Sequence, residues 1–315
     1  MRIGVDIGGM SVKAGVLDAN NRIIARAVVP TVPEKGFDGM IHDIAFCAQL
    51  AAERAGVMLT EFPCIGFGCP GMIDTDTGTV VLAGNLGWTN APAQAALQEL
   101  LPSRVLLGND ANCAVAGEMV AGAARGCDNV LMLTLGTGVG GGVMLDGKIV
   151  TGGRGLGMEL GHVKLVYGGE HCTCGMDGCL EAYTSVSALI RDTRRAMEQN
   201  PGSLLSSYVA EHGAINGKTV FDCAAQGDQV SAEVIENYIG WLAAGTGGLI
   251  STFRPDVVLF GGGLSAQGDT LLVPLRERTK DHTFAGHIME LPPFKQATLG
   301  NDAGIIGAAW LDELQ

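Results

Sequence analysis

The chain is short of positive charge: 20 Lys and Arg stand against 33 Asp and Glu, for a formal net charge of -13. No basic run or stripe breaks that balance, which removes the main electrostatic argument for a nucleic-acid partner. Long apolar runs are scarce as well. The most apolar one, residues 235–253, carries Glu236, Asn237 and four glycines, and reads as a buried helix, not a membrane span. The opening MRIGVDIGG has no apolar segment ahead of a cleavage site and enters a strand pattern at once, so a secretory signal is not expected. The reading is of a cytoplasmic protein without a membrane partner. Among the glycines, the spacings of a P-loop and of a dinucleotide fingerprint are both missing, which argues against Ras-like and Rossmann architectures.

What is present is length and glycine. At 315 residues, with 47% hydrophobic residues and 48 glycines, the chain is long enough for two domains and a buried cleft. Residues 3–18, IGVDIGGMSVKAGVLD, align without a gap on residues 131–146, LMLTLGTGVGGGVMLD, at a constant offset of 128 (131 − 3). Each reads as strand, Gly-rich turn and second strand, and two such units predict a duplicated α/β domain. Between and beyond them helix and strand alternate. Phe37–Ala55 has helical apolar spacing, Cys64–Gly68, Arg104–Leu107 and Val257–Phe260 read as strands, Ala111–Ala124 as a helix stopped by Gly126, and Asp302–Leu311 as a closing helix.

Three glycine turns stand out: Gly8-Gly9, the run from Gly136 to Gly142, and Gly261 to Gly263. Successive backbone N–H groups without Cβ atoms make a concavity for a phosphate oxygen. Asp6, at the end of a strand just before the first turn, could orient magnesium through its water shell, because that ion keeps most of its waters. Lys13, on the second strand, either reaches the same phosphates or faces solvent. Of nine cysteines, six are scattered and read as buried filler in a reducing compartment. The other three, Cys172, Cys174 and Cys179, lie within eight residues, a spacing suited to a tetrahedral thiolate site for zinc. His162 is the favoured fourth ligand, since His171 is adjacent to Cys172 and awkwardly placed to coordinate with it. Four protein ligands would make the site structural.

Taken together, these residues resemble the ROK family of sugar kinases and repressors along nearly the whole chain. ELGH at 159–162 with CTCGMDGCLE at 172–181 matches that family's most specific motif, and GCPG at 68–71, GNDAN at 108–112, GTGVGGG at 136–142 and NDAGIIGAA at 301–309 are similar to its other blocks. The resemblance implies an α/β fold of two ribonuclease-H-like domains of the actin and hexokinase type, with an ATP and sugar cleft between them. The expected division is 1–112 plus 301–315 as a small domain, to which the last helix returns, and 113–300 as a large domain holding the cysteine motif. It further implies Asp110 as general base, with Asn85, Asn109, Asp110, Glu159, His162 and Glu181 on the sugar hydroxyls. Gly8, Gly9, Thr137 and Gly138 would face the ATP phosphates, Asp6 would lie near magnesium, and Gly262 and Gly263 beside the adenosine.

Carboxylates, amides and an imidazole can hydrogen-bond a polyol on many edges, and a carboxylate can take the proton of an attacking hydroxyl. A plain helix cap is the structural alternative for Asp110. Repressors of this family carry a helix-turn-helix domain before the first Gly-rich strand, which here begins at Ile3, so a kinase is expected and not a repressor. GNLGW at 84–88 is most similar to bacterial glucokinases, which points to glucose ahead of N-acetylmannosamine, N-acetylglucosamine, fructose or allose. Homodimers or higher homo-oligomers are usual in the family. One residue departs from the pattern: Met10 stands where threonine is usual, and a thioether cannot donate a hydrogen bond to phosphate. The loss of one such bond costs on the order of 1 kcal/mol, so the first turn must rely on backbone donors.

Overall fold

The computed structural model describes the whole chain, Met1–Gln315. Thirteen strands follow one another as β1 (Arg2–Ile7), β2 (Ser11–Leu17), β3 (Ile23–Pro30), β4 (Cys64–Cys69), β5 (Met72–Asp74), β6 (Thr79–Ala83), β7 (Trp88–Ala91), β8 (Arg104–Asn109), β9 (Val130–Leu135), β10 (Val139–Leu145), β11 (Lys148–Ile149), β12 (Val257–Gly261) and β13 (Phe294–Gln296). They form two five-stranded sheets, β3-β2-β1-β4-β8 and β11-β10-β9-β12-β13, and a small sheet β5-β6-β7. In the first, β1, β2 and β3 make an antiparallel meander, and β4 and β8 add in parallel. The second repeats the order, with β10 antiparallel to β11 and β12 parallel to β13.

The offset of 128 holds residue for residue in the hairpins. Adding it to β1 (2–7) gives 130–135, the bounds of β9, and adding it to β2 (11–17) gives 139–145, the bounds of β10. The echo in the sequence is therefore a duplicated sheet, and the architecture is the ribonuclease-H-like α/β fold. No helix is long and apolar enough to cross a membrane.

The chain divides into two compact units, one of Met1–Val130, Gly142–Met158 and Ala297–Gln315, the other of Leu131–Gly141 and Glu159–Gln296. A boundary between 112 and 113 would cut the continuous helix Asp110–Ala121, which lies wholly in the first unit. In that unit the helix Gly36–Ala55 buries Met40, Ile41, Ile44, Ala45 and Ala48, the positions its apolar spacing indicated. Burying each isoleucine contributes about 1.5–3 kcal/mol. The helix ends at Gly56 in the left-handed conformation, whose N–H bonds back to Ala52 and Glu53.

Two helix ends differ from expectation. The helix from Asp110 stops at Gly122 and not at Gly126, because the buried carboxylate of Glu118 turns back to accept the N–H groups of Ala123 (2.8 Å) and Leu299 (2.7 Å). The closing helix is split into Ala303–Ala308 and Leu311–Leu314, with non-helical backbone at Trp310. There the indole donates to Asn21 and carries the Arg2 guanidinium over its face.

The helix Ala303–Ala308 is buried at every position. It packs backbone to backbone on the helix that begins at Asp110: a Cβ at Gly307 would sit 1.7 Å from the carbonyl oxygen of Cys113. Neither backbone can yield without breaking its own helix. Gly307→Ala should therefore destabilise the protein by about 3 kcal/mol, the upper end for overpacking. The check is the shift of its urea midpoint at unchanged slope.

Candidate functional site

In the first unit, β8 delivers Asn109 and Asp110 to the start of a helix. Asn109 is the cap: its Oδ1 accepts the N–H of Asn112 at 3.0 Å, and its Nδ2 donates to the carbonyl of Gly71 at 3.0 Å. Asp110 is thus not the cap but the first helical residue, with Oδ1 accepting the neighbouring Ala111 N–H at 2.8 Å and its own N–H also acting on the carboxylate. Burial raises the Asp110 carboxyl above its ordinary range, against the pull of the Ala111 and Asp110 N–H groups.

Asp6, at the end of β1, faces Asp110 closely enough for the two charges to interact. Burial pushes its carboxyl up to about 6, with Lys13 opposing and Asp110 adding to the rise. Lys13 is the register partner of Asp6 on β2, so both side chains leave the same face of the sheet. The turn after β1 is closed by the Gly8 N–H on the Ser11 carbonyl at 3.0 Å. Thr31 braces it from outside, with N–H to the Met10 carbonyl (3.0 Å) and Oγ1 to the Gly8 carbonyl (2.6 Å). Met10 itself is 89% exposed. Asn85, on the short turn Gly84–Leu86, stands directly beside Gly9. Asp6, Gly8, Gly9, Asn85, Asn109 and Asp110 are thus neighbours in one unit.

In the second unit the turn between β9 and β10 is closed by the Gly136 N–H on the Gly138 carbonyl at 3.0 Å. The third glycine run lies against it: Gly262 packs on the backbone of Leu135, the residue before that turn. Thr137 is exposed at the tip. Glu181 is only 8% exposed, and both its oxygens are engaged. Oε2 accepts the N–H of Val139 at 2.9 Å, and Oε1 accepts the Thr173 hydroxyl at 2.7 Å and the Cys172 thiol at 3.4 Å. Burial acts to raise the Glu181 carboxyl, but these donors outweigh it and the net shift is downward.

The ligand atoms of His162, Cys172, Cys174 and Cys179 lie within 4.8 Å of one another. The separations Cys174 Sγ to Cys179 Sγ and His162 Nδ1 to Cys172 Sγ are both 3.7 Å. Tetrahedral Zn–S bonds of about 2.3 Å place sulfurs about 3.8 Å apart, so the donor set and its spacing fit zinc. His171 turns away to Asp177 at 2.8 Å and is outside the cluster. Because Nδ1 of His162 faces the sulfurs, its Nε2 remains for another partner. Glu159 is exposed, three residues before it.

The chain matches the ROK family over residues 2–313 and belongs to it. It is 36% identical over 308 residues to a glucokinase of Thermotoga maritima, covering 98% of this chain and 95% of the relative. With a glucokinase of Halalkalibacterium halodurans it shares 34% over 314 residues, covering 99% and 95%. A solved ROK family glucokinase from Streptomyces griseus, in complex with glucose and AMPPNP, is similar at a TM-score of 0.80 and 34% identity, covering 98% of both chains.

A raised Asp6 pKa means that the folded state holds this proton more tightly than the unfolded chain. Its contribution to stability is complete below 3.8 and is lost as pH rises through about 6. Asp6→Asn should therefore melt higher than the parent at pH 7.5, with the gap closing towards pH 4. A melting series across that range, without nucleotide, checks it.

Proposed function

We propose that this chain is an ATP-dependent sugar kinase that transfers the γ-phosphoryl group to a hydroxyl of glucose, yielding glucose 6-phosphate. The observation that carries the reading is the setting of Asp110: a half-buried carboxyl at a helix start, bonded only by the backbone N–H groups beside it and made more basic by burial. Full-length likeness to proteins named glucokinase supports the choice of sugar. Asp110 takes the proton of the attacking hydroxyl, the sugar oxygen forms a bond to the γ-phosphorus, and the bond to the β–γ bridging oxygen breaks to release ADP. Phosphoryl transfer asks mainly for positioning and charge stabilisation.

Asn85, Asn109, Glu159, His162 and Glu181 orient the hydroxyls. Nε2 of His162 serves the sugar while Nδ1 faces the cysteines, and Oε2 of Glu181 keeps a lone pair beyond the one given to Val139. Gly8, Gly9, Thr137 and Gly138 supply donors to the phosphates, with Lys13 adding positive charge, and Gly262 and Gly263 border the adenosine. Asp6 would orient the water shell of a magnesium ion brought with ATP, which would supply positive charge to the phosphates. His162, Cys172, Cys174 and Cys179 would hold zinc, and four protein ligands would make it a structural support for the loop. The chain works in the cytoplasm as a homodimer or higher homo-oligomer, a reading that rests on the family likeness.

Coupled ADP release with a panel of hexoses should give the highest kcat/KM with glucose. Asp110→Asn should lower kcat about 10²- to 10⁴-fold, the usual range for a lost general base, with the circular dichroism spectrum unchanged. A preference for an N-acetylhexosamine would overturn glucose alone; an Asp110→Asn protein as fast as the parent would overturn the mechanism. Elemental analysis should find about one zinc per chain and lose it in Cys174→Ala. Full retention of metal in that variant rejects the site.

A further inference from the structure

We infer that the loop bearing the Cys/His cluster positions the donor turn Gly136–Val139 as well as the sugar groups, with Glu181 as the link between them. The inference rests on the reading of that turn as a phosphate site. Its basis is a chain of contacts inside the second unit. Thr173, in the cluster loop, donates to Oε1 of Glu181, and Oε2 accepts the N–H of Val139 in the turn. The approach is too close for a side chain at Gly138, where a Cβ would lie 2.4 Å from Oε2. This gives Gly138 a reason to be glycine that has nothing to do with a ligand.

Past Glu181 the backbone runs into the helix Val186–Gln199, and its first residues fasten the same turn twice more. The Val186 N–H donates to the Gly136 carbonyl at 2.8 Å, and the Ser187 hydroxyl to the Thr137 carbonyl at 2.8 Å. In a planar trans peptide the C=O and the following N–H point in opposite directions. Holding the carbonyls of Gly136 and Thr137 against the helix therefore aims the N–H groups of Thr137 and Gly138 away from it, as donors for an anion. Residues 181–187 thus set the direction of the turn's amides, and the cluster loop fixes where Glu181 sits. Thr173 and Ser187 are positioning residues: they touch neither substrate nor metal.

The test is titration calorimetry of magnesium-AMPPNP without sugar, with glucose titrated separately, and peptide-level hydrogen exchange over the segment containing Val139. Thr173→Val and Ser187→Ala should each weaken AMPPNP about two- to tenfold, the worth of one hydrogen bond, and speed exchange in that segment. Metal content should be unchanged in both, glucose affinity should be unchanged in Ser187→Ala, and Thr173→Ser should restore the parent values. Parent-like AMPPNP affinity and exchange in both variants would overturn the inference, as would a parallel loss of glucose affinity in Ser187→Ala. Gly138→Ala separates the two levels. If it too leaves AMPPNP binding intact, the turn is not the phosphate site and the underlying reading fails. If it weakens binding while Thr173→Val and Ser187→Ala do not, only the link through the cluster loop fails.

Discussion

A glycine turn keeps one shape only if something else holds its peptides still, and this constraint governs both glycine turns. Glycine removes the steric obstacle to close approach but leaves the peptide free to rotate. Each turn is therefore fastened through its carbonyls. In the first unit Thr31 grips the carbonyls of Gly8 and Met10; in the second, Val186 and Ser187 grip those of Gly136 and Thr137. The duplicated hairpins share a strand register but not a brace: one uses a threonine from the next strand's end, the other a buried carboxylate and the start of a helix. Met10 fits this scheme, because a turn held by its carbonyls loses little when the side chain at its tip is apolar.

Charge is distributed with similar economy. Asp6 and Asp110 are both half-buried and the Asp110 charge makes Asp6 harder to ionise, while Cys69 and Cys113 nearby are pushed up by burial and by both carboxylates. Glu181 is the opposite case. Its burial is more than offset by three donors, so it stays charged without a ligand and can act as a fixed structural anion.

The strands of the two hairpins, β4, β8 and β12, the duplication, the helix Gly36–Ala55 and the four-residue cysteine and histidine cluster were legible in the sequence because each depends on local period or spacing. The helix ends were not: Gly126 is a good stop in itself, but Glu118 reaches back and ends the helix four residues sooner. Asp110 was the cap candidate in the sequence, and only the geometry shows that Asn109 supplies the capping amide and leaves the carboxylate available. Thr31, Thr173 and Ser187 carried no signal at all. Small hydroxyl residues bonded to a distant carbonyl or carboxylate have no period or motif, and their partners lie 23, 8 and 50 residues away in the chain. Glu181 was visible as a sugar ligand through family likeness, but its bond to Val139 became visible only in three dimensions.

The backbone-to-backbone seat of Ala303–Ala308 also bears on how the chain is made. That helix fills the first unit's interior, against the helix from Asp110 and beneath β1, yet it is synthesised after the whole of the second unit. The first unit's core is therefore drawn from both ends of the chain: the place on the first sheet that residues 303–308 fill stays without its occupant until they have been made, and Gly117 and Gly307 are what let the two helix backbones meet there.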